Sequence, residues 1–392
     1  MVARAFDTAY FKLLIVLLPL THAFAISTLW TPSFLMLSIG LIIFIKPKWR
    51  LPVYHPYPLI LMIALYAFII SGSTGNPLQS RSVAYWAIVF LSFGVVLENV
   101  ALSDNDLLSA IRRAALFSSA FVALSVIFRI TNGLDLENLI PRYSRQTLGV
   151  STFGGALILQ RSRGFFEEPG FLGMFTNAVA PFLILDARRN HWKFSNIIPL
   201  FLIGATYIFA FSAATFFIAS VVSLSVLLLR LNRITTLLFL MFLACLFAGV
   251  FFSFRTIVTQ FGGALSYKVL LESVPGRISV TIEAIRQVFR SDLREIIFGH
   301  GTQDGLATLA EPIRFMSQYG LIGLSMLLAF FVSVWICGSK KSTDYMHAFR
   351  ASFLMIMLHT LVVPNLYYPF VWFLFAWLIR PSNETMPSRR KL

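Results

Sequence analysis

Charged side chains are scarce in this sequence, so the places where they crowd are informative. One is Arg161-Ser162-Arg163-Gly164-Phe165-Phe166-Glu167-Glu168-Pro169-Gly170, with two arginines and two carboxylates just before a strongly apolar run. A guanidinium is permanently charged and forks toward paired oxygens, which suits a diphosphate. A neighbouring carboxylate can orient that group or take the proton of an attacking hydroxyl. The plainer alternative is an interfacial ion-pair knot at a helix start, because Glu168-Pro169 has the order of an N-cap followed by proline at the first helical position.

A second group begins at Ser273-Val274-Pro275-Gly276-Arg277. Beyond the Pro275-Gly276 turn, Ile278, Ile282, Ile285, Phe289, Leu293 and Ile296 recur at helical spacing and predict an amphipathic helix. Arg286, Arg290 and Arg294 then fall at i, i+4 and i+8 on one face. Such a stripe could dock on anionic headgroups or a lipid diphosphate. With Glu283, Asp292 and Glu295 beside it, a solvated and balanced face is the plainer reading. Arg277 stands apart, ahead of the helix. Phe298-Gly299-His300-Gly301 follows, and its glycines lack the strand and helix context of a nucleotide loop. Asp304, Glu311 and Arg314 precede a further apolar run, where they would line its mouth or anchor it at the interface.

Single residues add little. His300 and His347 fall in predicted loops, and His359 in an apolar run, where a hydrogen-bonded core histidine is the default. Ser212 and Thr215 fall in a tight predicted hairpin and suit helix-end backbone groups. No His and carboxylate set recurs at metal-ligand spacing, so neither a metal nor another cofactor is implied. Cys245 and Cys337 lie in apolar runs and suggest no disulfide framework.

The elements that must position these groups are membrane helices. Of 392 residues, 57% are hydrophobic and 12% charged, with a mean hydropathy of +0.78, whereas soluble domains carry about a quarter of their residues as charges. This composition excludes a secreted disulfide scaffold, a nucleic-acid-binding domain and a disordered tail, and predicts an all-α, polytopic membrane protein whose residues 1–392 form a single transmembrane domain. With about 20 apolar residues needed per span, twelve spans are predicted: 10–28, 30–45, 57–72, 82–99, 113–129, 170–186, 195–211, 213–230, 234–254, 316–337, 346–363 and 365–380. The first run reads as a retained helix and not a removed signal peptide.

Basic residues accumulate on the cytoplasmic side of membrane proteins. With both termini inside, Lys46 to Arg50, Arg112-Arg113, Arg188-Arg189 with Lys193, Arg230 with Arg233, Lys340-Lys341 and Arg389 to Lys391 all fall on that side. This accounts for most of the net charge of +15 without nucleic acid. Two long outer loops remain, residues 129–169 and 255–315. Long ordered loops tend to be functional, and both arginine-rich groups belong to them.

Taken in order, Arg161-x-x-Gly164-x-Phe166-x-Glu168-Pro169, the loop segment Ser273 to Arg277, Phe298-Gly299-x-Gly301 and Tyr319-Gly320-Leu321-Ile322-Gly323-Leu324 resemble the O-antigen polymerase and O-antigen ligase superfamily. The motif order covers roughly residues 140 to 340, and the twelve-span layout extends the likeness to the whole chain. The resemblance implies a bacterial inner-membrane glycosyltransferase of GT-C-like architecture. Its active face would be periplasmic, and its donors and acceptors glycans carried on undecaprenyl diphosphate. A flippase and a chain-length regulator are the implied partners. Family arginines that hold the diphosphate map onto Arg161, with Arg163 next to it, and onto Arg277. Glu168, then Glu167 or Glu311, are the carboxylates to accept a hydroxyl proton, and Arg290, Arg314 and Tyr319 are secondary binding residues. Ligase-like members place a His-Asn pair where this sequence reads Leu309-Ala310. That departure favours a polymerase over a ligase, with Glu311 or His300 standing in for the missing base. A flippase or secondary transporter is the alternative of another class. It would carry ionisable groups near the bilayer midplane, and the predicted spans are nearly free of charge there.

Overall fold

A computed structural model describes residues 2–20, 23–25, 31–52, 55–73, 80–141, 162–210, 212, 215, 218–223, 283, 286, 290–299, 311–338, 343–361, 366 and 368–380. Its elements are α1 (Val2–Val16), α2 (Pro32–Phe44), α3 (Tyr57–Ser73), α4 (Arg81–Asn99), α5 (Asp104–Asn132), α6 (Leu136–Leu139), α7 (Pro169–Arg189), α8 (Phe194–Ala210), α9 (Leu293–Phe298), α10 (Glu311–Gly338), α11 (Thr343–Thr360) and α12 (Pro369–Ile379). Among the described residues the protein is helical without strands. The helices α4, α5, α7 and α10 are each long and apolar enough to cross a membrane. Shorter apolar helices accompany them at Pro32–Phe44, Tyr57–Ser73, Phe194–Tyr207 and Pro369–Ile379. Most of the predicted spans 213–230 and 234–254 lies outside the described residues.

Several helix ends differ from the sequence expectation for local reasons. α1 begins at Val2 and stops at Val16, short of Pro19, where a proline would remove a backbone donor. α5 starts at Asp104 and not near residue 113, because Ser103 and Asp106 form a reciprocal capping box. It ends at Gly133 in the left-handed conformation, φ +66°. Arg112 is consequently a helical residue and not part of a loop. The helix expected over 278–296 is interrupted: residues 283, 286 and 290 are helical, Ser291 and Asp292 are not, and α9 starts afresh with Asp292 at its N-cap. Arg294 therefore belongs to a different helix from Arg286 and Arg290, and the continuous three-arginine stripe is not formed. Glu283, Arg286, Arg290 and Arg294 are exposed, and Arg286 lies 3.7 Å from Glu283, as the solvated-face reading expects.

The packing centre is α12. All eleven of its residues are buried, and it is covered by α4, α10 and α11. Eleven helical residues rise only about 16 Å, roughly half of a hydrocarbon core, and protein encloses them. Apolar residues on every face are what such a position requires. Trp372 meets Trp86 at 5.8 Å and Phe90 at 5.9 Å between ring centres, and Trp377 meets Phe349 at 4.7 Å and Phe182 at 5.0 Å. Each aromatic pair adds roughly 0.5–1.5 kcal/mol beyond its buried area, which is where many of the 40 phenylalanines are used. α7 packs chiefly against α11 and α8, and α5 against α8, α1 and α7.

Contacts at the helix termini define two ends of this bundle. Trp377 Nε1 donates to Asp104 Oδ1 at 2.8 Å and Arg380 to the Leu102 carbonyl at 2.7 Å. Tyr345 donates to Asn105 at 3.1 Å, and Arg112 to both Asp186 and Asn196 at 2.9 Å. These bonds gather the start of α5, the turn from α7 to α8, the start of α11 and the end of α12 at one end. The starts of α7, α10 and α12 lie at the other.

Candidate functional site

The Arg163–Gly170 segment lies at that other end, where the chain turns into α7. Its two adjacent phenylalanines point into different packing layers. Phe165 stacks on Phe117 and Phe121 of α5 at 4.9 and 4.2 Å. Phe166, fully buried, meets Phe175 of α7 at 5.5 Å, Tyr368 at 5.9 Å and Phe370 of α12 at 6.2 Å. Gly164 has φ +58°, which favours glycine, and a Cβ there would press on Val122 of α5 at 3.1 Å. Glu168 has the extended backbone of an N-cap and Pro169 fills the first helical position, but the Glu168 side chain makes no cap hydrogen bond. The apolar members of the motif thus clamp the segment between α5, α7 and α12, and leave Arg163, Glu167 and Glu168 half-buried around it.

Tyr368 belongs to the same place. Its ring is buried against Phe171 at 4.8 Å and stacks on Phe370 at 5.8 Å. Glu167 and Glu168 both act electrostatically on its phenol. Sequence reasoning passed over Tyr368 by absorbing it into an apolar run, although Tyr368-Pro369 repeats the order seen at Glu168-Pro169, a polar residue ahead of a helix-starting proline.

Behind the segment stands a second charged group that the sequence did not disclose. Arg129 near the end of α5 lies 3.2 Å from Asp135. Asp135 caps α6 by accepting the Glu137 N–H at 3.0 Å. Glu137, 2% exposed, accepts the backbone N–H of Arg163 at 2.9 Å. Burial holds the Glu137 carboxyl above the usual carboxylate range, and Asp135 adds to that, while the backbone donors and Arg129 oppose it.

Glu311 and Arg314 open α10. Both are buried, and Arg314 donates to Glu311 across one helical turn. In place of a polar mouth, the two form an ion pair enclosed in protein. The next residue, Phe315, stacks on Trp86 at 6.0 Å, and Trp86 in turn contacts Trp372 of α12. Tyr319 is also buried, 4.7 Å from Phe315, and its carbonyl accepts Tyr66 O–H of α3 at 3.1 Å.

The two glycine motifs meet each other. Gly299 at the end of α9 has φ +88°, and Gly320, where α10 kinks, has φ +65°. A Cβ on Gly299 would come 2.4 Å from the Gln318 carbonyl oxygen, and one on Gly320 would come 2.2 Å from that of Ile297. Two motifs that stand far apart in the sequence are here one backbone-to-backbone joint.

Inside the bundle, α7, α8, α11 and Thr215 share a polar cluster. Asn177 Nδ2 lies 3.1 Å from the Thr215 carbonyl and 2.9 Å from His359 Nε2, and Tyr207 O–H donates to Asn177 Oδ1. An amide nitrogen can only donate, so His359 Nε2 accepts. Of the residues singled out in the sequence, Arg161, Arg277 and His300 lie outside the described residues. Arg163, Glu167, Glu168, Glu311, Arg314 and Tyr319 lie toward one end of the bundle, and Arg290 sits exposed on the helical stretch before α9. No protein-family model matches the chain, and no curated protein sequence matches it.

Proposed function

We propose that the chain is a polysaccharide polymerase: a metal-independent glycosyltransferase that joins glycan repeat units carried on undecaprenyl diphosphate. The observation that carries this reading is the clamped Arg163–Gly170 segment. Its phenylalanines and Gly164 are spent on fixing the backbone against three helices, and its arginine and two carboxylates are kept half-buried at one end of an apolar bundle. Fixed charge in partly dehydrated surroundings is what a departing diphosphate needs. In this reading the remaining spans complete a twelve-span, GT-C-like bundle with both termini cytoplasmic, in the bacterial inner membrane. The Arg163 end then faces the periplasm, because the opposite end carries Lys46, Arg112, Arg188, Arg189 and Lys193.

The reaction is a displacement at the anomeric carbon of the donor. A hydroxyl oxygen of the acceptor sugar bonds to that carbon as the bond to the bridging phosphate oxygen breaks, and the electron pair leaves on the diphosphate. Arg163, with Arg161 and Arg277, stabilises that charge. Glu168, or Glu167 beside it, takes the hydroxyl proton. Glu311 is already bound to Arg314 and is the weaker candidate for this step. The reading is tested by incubating the purified protein with a lipid-linked repeat unit, without added metal, and separating the products by size. A ladder of longer lipid-linked chains is the expected result. Transfer only after lipid A core is added makes the protein a ligase, and inactivity of a folded sample in both assays favours a carrier.

A further inference from the structure

Glu137 is buried, carries a carboxyl group, and takes no part in the displacement just described. It is held from behind by α5: Gly133 reverses the chain, Arg129 pairs with Asp135, and Asp135 caps the short helix that bears Glu137. In front, its carboxylate accepts the N–H of Arg163 at 2.9 Å and also that of Gly164. Two successive backbone N–H groups converging on one point form a concavity that selects an anion, and here a side chain of the same protein fills it. Gly164 is the residue in this turn with the widest conformational freedom, and the turn leads directly into Glu167 and Glu168. The Phe166 N–H closes the turn on the Arg163 carbonyl at 3.0 Å, and Phe165 and Phe166 pack it against the helices, while the N–H groups of Arg163 and Gly164 find their acceptor in Glu137.

We propose that Glu137 is a positioning residue whose carboxylate grips the Arg163–Gly164 backbone and so sets where Arg163, Glu167 and Glu168 stand for the lipid diphosphate. The functional half of this inference rests on the polymerase reading; the grip itself does not. Replacing Glu137 by Ala removes the acceptor, and Glu137→Gln keeps one acceptor oxygen at the same reach.

The test is backbone hydrogen exchange of the full-length protein in detergent, followed by chain-extension kinetics on the same samples. In Glu137→Ala, the amides of residues 163 and 164 are expected to exchange at least about tenfold faster than in the parent. Amides near Arg112 and Asp186 should stay protected. The KM for the lipid-linked donor should rise more than kcat falls, with kcat/KM down by up to about a hundredfold. Glu137→Gln should restore most of the protection and most of the KM. Parental protection at 163 and 164 in Glu137→Ala overturns the proposal. So does a loss of protection spread over the whole protein that Glu137→Gln fails to rescue. Absence of chain extension by the parent protein sinks the polymerase reading instead, and the exchange results still decide whether Glu137 holds the turn.

Discussion

The two ends of the helical bundle use charge differently. At the Arg112 end, charged and polar side chains close the structure on itself. Lys12 meets Asp106 and Lys46 meets Asp7, both at 2.6 Å, Arg112 is shared by Asp186 and Asn196, and Arg189 lies 4.1 Å over the Tyr345 ring. These bonds join helices that hydrophobic contact alone could let slide. At the Arg163 end, cohesion between helices comes from aromatic rings and glycine contacts; its ion pairs, Arg129 with Asp135 and Arg314 with Glu311, are local in the chain, and Arg163, Glu167 and Glu168 stand half-buried at the edge of the packing. A bundle stapled at one end by ion pairs can keep charges at the other for chemistry. Substitutions should therefore separate cleanly into those that cost activity and those that cost stability.

The largest effect is expected at the Arg163 end. Replacing Arg163 by Ala should lower polymerising activity by about 10²–10³, the usual cost of losing one group aimed at developing charge, with little change in the thermal midpoint. Arg163→Lys should recover only part of it, because a point charge lacks the fork. Full activity in the alanine variant would erase the distinction between the two ends.

Next comes the glycine joint, where stability is at stake. Gly320→Val must place a branched side chain at φ +65° and within 2.2 Å of a carbonyl oxygen. The conformation, φ +65° and ψ −169°, is essentially confined to glycine and costs other residues about 1–3 kcal/mol, and the clash adds to it, so a clear fall in thermal midpoint in detergent is expected. Asp186→Ala should do less. It leaves Arg112 with Asn196 as an acceptor, so a loss of about 1–3 kcal/mol is expected, with activity per folded molecule preserved. If Asp186→Ala abolished activity in folded protein, the stapled end would be part of the catalytic apparatus after all.

How much of this could be read from the sequence follows from how local each interaction is. Proline at the first position of α7 is local, and the order Glu168-Pro169 disclosed it; Phe166 against Phe370 and Gly164 against Val122 are distant contacts that the motif left unread. The Ser103-x-x-Asp106 capping box is equally local; it was overlooked because hydropathy, not capping, set the expected start of α5. The Gly299 to Gly320 joint brings together residues distant in the chain, and neither glycine alone signals the other. α12 shows a different limit. Its composition matches a lipid-facing span, and only the tertiary contacts reveal that protein surrounds it. Glu137 was invisible for a related reason: a lone glutamate in a loop gains its meaning from the backbone donors that reach it from beyond residue 160.

The smallest predicted effect measures what a buried carboxyl costs the fold. The Glu137 carboxyl is held above its usual range by burial and by Asp135, against the pull of Arg129 and two backbone donors. A carboxyl raised in the folded state binds its proton more tightly there than in the unfolded chain. Its contribution to stability is then complete below the ordinary carboxylate value and is lost as pH rises through the folded one. Glu137→Gln cannot ionise and should escape that loss. Its thermal midpoint should therefore gain on the parent as pH rises above the ordinary carboxylate value. A constant difference over that rise would mean that the Glu137 carboxyl titrates alike in both states. The Arg163 turn would then be held at no electrostatic cost, and the contrast between a stapled end and a charged one would rest on geometry alone.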